Sequence, residues 1–311
     1  MKYPFQLPSR RETLWCISLW LLYYFLSSFV LSYRVEHIFF TALFLVCFFA
    51  GSLTRKFAVG MIPFIIFGMS YDFMRVYPNY QVNNVDIVGI YETEKEWFGV
   101  HVNGTIQTLN EYFSLHCTPS ADFLAGIFYL CWVPGPLGFS VYLFFTGKRD
   151  VFLRFVWAFL FINLLGFAVY YAHPAAPPWY MSEYGTEPVF DTLGSEAGLA
   201  RFDRLFDISF FHDLYSRNAN VFAAVPSLHS TYCLCAFLYA FIGRQKWYVS
   251  VPFGILSVGI CWTAIYTGHH YVIDVLLGVI MTFVFVAVWE LLLLKWLPIR
   301  SFYEAYRGYI S

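Results

Sequence analysis

The sequence predicts an all-α protein: a polytopic transmembrane helix bundle of about eight spans, forming a single membrane domain with both termini cytoplasmic. Three observations lead there. The 311-residue chain is 59% hydrophobic and only 13% charged, with a mean hydropathy of +0.58, whereas an ordinary soluble domain carries about 25% charged residues. Its apolar runs approach the ~20 residues that a bilayer-crossing helix needs. Its basic residues are shared unevenly between the connecting segments. A net charge of -1 without a basic block leaves no electrostatic footprint for nucleic acid, so no such partner is expected.

The first run, 13–33, follows Arg10 and Arg11 and lacks a small-residue cleavage site, so it reads as a retained helix. Runs at 36–53 and 57–74 come next, then 121–145, in which Pro134-Gly135-Pro136 predicts a kink. The other four are 151–172, 226–243, 247–267 and 271–294. With both ends inside, one side receives 13 of the 19 basic residues, Lys2, Arg55, Lys56, Lys148 and Arg149 among them. The other receives Arg34, Arg75, Lys95, Arg201, Arg204 and Arg217. The basic side is cytoplasmic by the positive-inside rule. Two long segments, 75–120 and 173–225, face the opposite side and read as surface or re-entrant elements. Of the seven cysteines, all but Cys117 lie in apolar segments and read as packing residues, and Asn103-Gly104-Thr105 carries no weight as a chance glycosylation sequon.

Three polar clusters interrupt this apolar chain on its non-cytoplasmic face. At 265–278 the sequence IYTGHHYVIDVLLG places His270 and Asp274 at i and i+4, so on a helix the carboxylate lies one turn along the same face and can orient the ring. Such a pair leaves the other ring nitrogen as a basic lone pair. His269 points about 100° away on that helix. At 221–230, VFAAVPSLHS puts Pro226 where it suits a first helical turn, with Ser227 and His229 at once after it. Free amides at a helix start seat a phosphate, and His229 is placed to move a proton. At 170–180, YYAHPAAPPWY leaves the fifth helix through three prolines and reads as a stiff loop. An ionisable group at membrane depth costs roughly 2.5 kcal/mol or more unless it faces protein or water, so these residues are functional candidates by default.

The residues PSLH at 226–229 and HHYVID at 269–274 resemble the type 2 phosphatidic acid phosphatase superfamily. Within it, APPWY at 176–180, NANVFAAVPSLH at 218–229 and YTGHHYVID at 266–274 are similar to the inositol phosphorylceramide synthase branch. The resemblance covers about the C-terminal half. It implies a six-helix lipid-phosphatase-like core preceded by N-terminal helices, with residues 1–120 as the N-terminal helices and extracytoplasmic segment and 121–311 as the catalytic core. It implies that His270 attacks phosphorus to form a phosphohistidine, that His229 protonates the leaving alkoxide and later deprotonates the acceptor hydroxyl, and that Asp274 holds His270. The donor would be phosphatidylinositol, the acceptor ceramide or dihydroceramide, and the released product diacylglycerol; no metal and no cofactor are implied. The face is non-cytoplasmic, with a bacterial inner membrane favoured and a Golgi-type lumen as its eukaryotic equivalent. No accessory subunit is legible.

The chain departs from the phosphatase branch, which carries lysine and arginine in its first motif and arginine before the nucleophile; here Thr263-Ala264 stands where Ser-Arg would be. Phosphate charge must then be met by other donors. The candidates are the start at Pro226 and Ser227, and Arg201, Arg204 or Arg217; His269, Tyr271, Trp179, Asp72 and Arg75 are candidates for headgroup contacts. Plainer readings stand beside these. His270 with Asp274 is also what a buried packing pair looks like. Trp179 and Tyr180 also fit an interfacial aromatic belt. The loop arginines alternate with Asp203, Asp207 and Asp213 as surface ion pairs would, and Asp72 and Arg75 can neutralise each other at i and i+3. A lipid phosphate or pyrophosphate phosphatase uses the same three side chains, and a transporter or haem protein is the reading from a different class.

Overall fold

The computed structural model describes residues 6–30, 35–217 and 220–311. Lys2 and Arg34 of the charge asymmetry, and Asn218 and Ala219 of the second motif, lie outside the described residues. In chain order the elements are α1 (Arg10–Val30), α2 (Val35–Ala50), α3 (Ser52–Gly60), α4 (Ile62–Phe73), α5 (Val88–Phe98), β1 (Val100–Val102), β2 (Thr105–Gln107), α6 (Leu109–Leu115), α7 (Pro119–Leu130) and α8 (Pro134–Phe145). There follow α9 (Arg149–Ala172), α10 (Pro178–Tyr184), α11 (Ala200–Phe206), α12 (Phe210–Tyr215), α13 (His229–Ile242), α14 (Trp247–Tyr266), α15 (Val272–Leu291) and α16 (Leu297–Ile310).

Each expected apolar run is helical over most of its described residues; positions 31–33 of the first run lie outside them. Among the described residues, three helices are long and apolar enough to cross a bilayer alone: α9, α14 and α15 with its extension to Lys295. Five spans result if the bent pairs α3–α4 and α7–α8 each count as one. The α2 segment Ile38–Ala50 and α13 are apolar but shorter; α13, with 14 residues, rises only about 21 Å. The kink expected at Pro134 is a 44° bend, and a second one of 43° divides the run expected to be continuous at 57–74. Pro63 explains it, because a proline cannot donate to the carbonyl four residues back and its ring crowds that carbonyl. That carbonyl belongs to Val59, and the Tyr306 hydroxyl of α16 donates to it instead.

Helix α9 is the axis of the molecule, with α4, α8, α13, α15 and α16 packed around it. Phe152, Phe155, Val156, Ala158 and Phe159 are buried along its length. At its first end, Asp150 accepts from Tyr303 and Arg307, and Arg149 and Lys56 donate to the last carbonyls of the chain. One turn further, Arg154 pairs with Glu290, which also accepts from Tyr239 at 2.8 Å; a charge within the bundle is thus matched by a charge. At the other end, the Tyr170 hydroxyl donates to the Pro226 carbonyl at 3.0 Å. Tyr170 lies 20 residues beyond Asp150, so the basic end and the histidine end are about 30 Å apart.

Outside the bundle at the histidine end sits a cap built from α5, α6, α10, α11, α12 and one antiparallel hairpin, in which Val100 faces Gln107. Asn103 and Gly104, at φ 49° and 83°, form the two-residue turn that an Asn-Gly pair favours. The all-α expectation misses this hairpin, whose signal was the same Asn-Gly that reads as a sequon. Short bridges tie the cap to the motifs: Asp86 pairs with Ala175, and Ala175 with Ala223.

Candidate active site

The segment after α14 closes in a tight turn. Gly268 adopts φ 77°, where a side chain would be strained, and the amides of His269 and His270 both donate to the Ala264 carbonyl at 3.0 Å. Both histidines therefore precede α15, which starts at Val272, and the expectation that His270 lies in the helix's first turns is corrected. Asp274 sits in that first turn and its Oδ2 accepts from the Tyr271 amide at 2.9 Å, an N-terminal cap made from inside the helix. This geometry brings His270 Nδ1 to 3.4 Å from Asp274 Oδ2. The contact is longer than a closed hydrogen bond. Asp274 is fully buried and His270 nearly so.

The second motif is also shifted. Helix α13 begins at His229, so Pro226, preceded by a cis peptide, and Ser227 lie ahead of the helix. The Ser227 amide donates to the Asp274 carbonyl at 2.9 Å and is not aimed at a ligand; its hydroxyl is buried and has no hydrogen-bond partner among the described residues. The shift carries His229 onto the first residue of α13, where its Nδ1 lies 2.9 Å from His270 Nε2. Side chains 41 residues apart thus meet ring to ring. The His229 ring rests against Tyr129 and Trp132, with centroids at 5.1 and 4.5 Å.

The third motif closes over the turn: the Trp179 amide donates to the Gly268 carbonyl at 3.0 Å. Trp179 and Tyr180 are buried beneath Phe222 and Ile87, not arrayed as an interfacial belt, because Pro177 and Pro178 start α10 and turn its aromatics inward. Trp179, Tyr271 and Arg201 line one cavity of about 320 Å³ whose walls include Asn110, Glu111 and Gly268. Arg201 is held there by Asp122 at 2.6 Å and lies over the Tyr266 ring at 5.0 Å, so it does not pair with the neighbouring aspartates. Asp203 instead accepts from the amides of Phe211 and His212. Arg204 and Arg217 are exposed. Asp72 and Arg75 approach within 3.8 Å. His173 lies 3.5 Å from Asp86. His269 is bonded to Thr267 at 2.8 Å and packed against Tyr215 and against Tyr129, the ring that His229 also touches, and it takes no part in the His229–His270 hydrogen bond.

Two residues that the sequence reading missed hold the turn from outside. Glu94 of α5, fully buried, accepts from the Val272 and Ile273 amides at 2.9 and 3.1 Å. Asn110 of α6 donates to the carbonyls of His270 and Ile265 at 2.9 and 2.8 Å. A signal for Glu94 was present, since it continues the stripe that runs from Ile87, just ahead of α5, through Ile90 and Tyr91, and an acid in an apolar stripe needs a buried partner. Burial raises the Glu94 carboxyl above its ordinary range, opposed by the two amides. Burial lowers His270 to about 3, opposed by the Ala224 carbonyl, and His269 is likewise lowered by burial and then by its neighbouring imidazoles.

An apolar helix bundle with two touching imidazoles and a buried carboxylate at one end defines an integral-membrane class with a polar centre suited to group transfer. The chain belongs to the PAP2 superfamily, whose profile matches residues 90–288. It is 50% identical to the phosphoinositol dihydroceramide synthase of Bacteroides thetaiotaomicron over 305 residues, 98% of this chain and 100% of that one. It is 32% identical to the inositol phosphorylceramide synthase of Candida albicans over 54% of this chain and 36% of that one. It is 35% identical to the inositol phosphorylceramide synthase catalytic subunit of Saccharomyces cerevisiae over 40% of this chain and 31% of that one. These findings bear out the resemblance read from the three motifs. No solved structure matches the chain.

Proposed function

We propose that the protein is a membrane phosphotransferase that moves phosphoinositol from phosphatidylinositol to ceramide or dihydroceramide and releases diacylglycerol. The observation that carries this reading is the 2.9 Å contact of His229 Nδ1 with His270 Nε2, with Asp274 behind the other nitrogen of His270. The contact is satisfied when His270 carries its proton on Nδ1, toward Asp274, and offers the Nε2 lone pair to a hydrogen of His229. That is the tautomer a nucleophile needs. His270 Nε2 attacks the phosphorus of the diester, the bond from phosphorus to the diacylglycerol oxygen breaks, and His229 gives that oxygen a proton. The acceptor's primary hydroxyl then loses its proton to His229 as its oxygen attacks the phosphohistidine, which restores His270.

The donor headgroup is assigned to the cavity beside the histidine turn, with Arg201, Trp179 and Tyr271 in its wall and the Ser227 hydroxyl as a further donor to the phosphate. A phosphodiester carries one charge fewer than a monoester. This fits a site in which Ala264 supplies only a carbonyl where the phosphatase branch has an arginine. The reaction is assigned to the non-cytoplasmic face. Purified protein given labelled phosphatidylinositol should yield inositol-phosphorylated ceramide only when ceramide is added. Release of free inositol phosphate at the same rate with or without ceramide would reject the transferase.

A further inference from the structure

We infer that the extracytoplasmic cap positions the nucleophile, with Glu94 as its principal positioning residue and Asn110 as its second. This rests on His270 being the nucleophile. His270 belongs to no helix, so its backbone must be fixed by something other than a helical ladder. Five hydrogen bonds, made by four residues, do so. The Ala264 carbonyl holds the amide of His270 from inside the bundle. Asn110 holds its carbonyl from outside. Glu94 takes the amides of Val272 and Ile273, and Asp274 takes that of Tyr271.

The division of amides between the two acids decides what Asp274 can do. The start of a helix presents unpaired amides that seek an acceptor, and α15 begins two residues before Asp274. Because Glu94 occupies the Val272 and Ile273 amides, Asp274 is bound at only one of these three and keeps lone pairs for His270 Nδ1. With Glu94 neutralised to glutamine, one acceptor oxygen becomes an NH2 facing an amide, a donor against a donor. The freed amide then competes for the Asp274 carboxylate, and a buried donor left unpaired costs about 1–3 kcal/mol.

Glu94→Gln, Glu94→Asp and Asn110→Ala are each compared with Glu96→Gln, which changes an exposed carboxylate of the same helix. The expected result for Glu94→Gln is a fall of about tenfold or more in the rate of phosphohistidine formation and in kcat, with KM for both lipids within about threefold of the parent. Glu94→Asp, which keeps the charge but shortens the reach, should recover part of the rate, and Asn110→Ala, whose side chain also borders the headgroup cavity, should share the fall in kcat. Glu96→Gln should match the parent. If Glu94→Gln and Asn110→Ala both form phosphohistidine at the parental rate, or lower activity only in proportion to lost folded protein, the positioning role is overturned. Should the parent protein form no phosphohistidine at all, the reaction assigned above fails instead.

Discussion

At the scale of the residue, two adjacent histidines are given different work by what their rings touch. His270 lies between an imidazole and a carboxylate, whereas His269 lies between Thr267 and two tyrosines. The Thr267 hydroxyl donates to the Thr263 carbonyl at 2.7 Å, so it accepts from His269, whose Nδ1 proton is thereby fixed. Substitution should separate the two sharply. His270→Ala is expected to lose phosphohistidine formation altogether, and Asp274→Asn to lower turnover about a hundredfold or more by spoiling the tautomer. His269→Ala should retain more than about a tenth of the parental rate, since no transferred proton passes through it. Acid-labile phosphate on the protein after a rapid quench measures all three, and equal losses at 269 and 270 would refute the division of roles.

At the scale of the element, the site depends on how closely α13 and α15 approach. A Cβ added at Gly278 of α15 would stand 2.3 Å from the Ser227 carbonyl and 2.4 Å from the Ser230 hydroxyl, distances that force the backbones apart. Gly278→Ala is expected to cut turnover at least about tenfold by parting His229 from His270, and Gly278→Val to prevent folding; both are read by lipid turnover and by thermal melting in detergent. Unchanged turnover in Gly278→Ala would show that the imidazole contact tolerates the displacement. Much of this layer was legible in the chain. Apolar runs gave α9, α14 and α15, the three described helices long enough to span alone, though not α16; Pro134 gave its bend, and the motifs named the side chains that meet. What escaped was the local geometry at element ends. HHYVID has helical spacing, yet Gly268 ends α14 as a glycine after an apolar run should, and two histidines fall into the turn. Pro226 looks like a helix start, yet the Ser227 amide is taken by a carbonyl 47 residues away in α15. Pairings of that range, like those of Glu94 with the start of α15, leave no periodic trace in one strand of sequence, and only the misplaced acid in an apolar stripe hinted at them.

At the scale of the whole molecule, the two ends of α9 differ in charge and in chemistry, and the difference predicts which end faces which compartment. Lys56, Arg149, Arg154 and Arg307 gather with α16 at one end, as cytoplasmic loops do. The histidines and the cap lie at the other. Cys117 offers a direct reading of this orientation because it is the exposed one among the seven thiols, the others being buried or partly so. It stands between α6 and α7, beside Thr118, whose amide donates to the Tyr266 hydroxyl at the histidine end of α14. Its compartment is therefore the compartment of the histidine pair. A membrane-impermeant maleimide applied to intact cells should label the protein, and Cys117→Ser should remove most of that label while leaving lipid turnover unchanged. Labelling of Cys117 that requires permeabilised membranes would invert the topology and place both imidazoles, with the lipid headgroups they are assigned, on the cytoplasmic side.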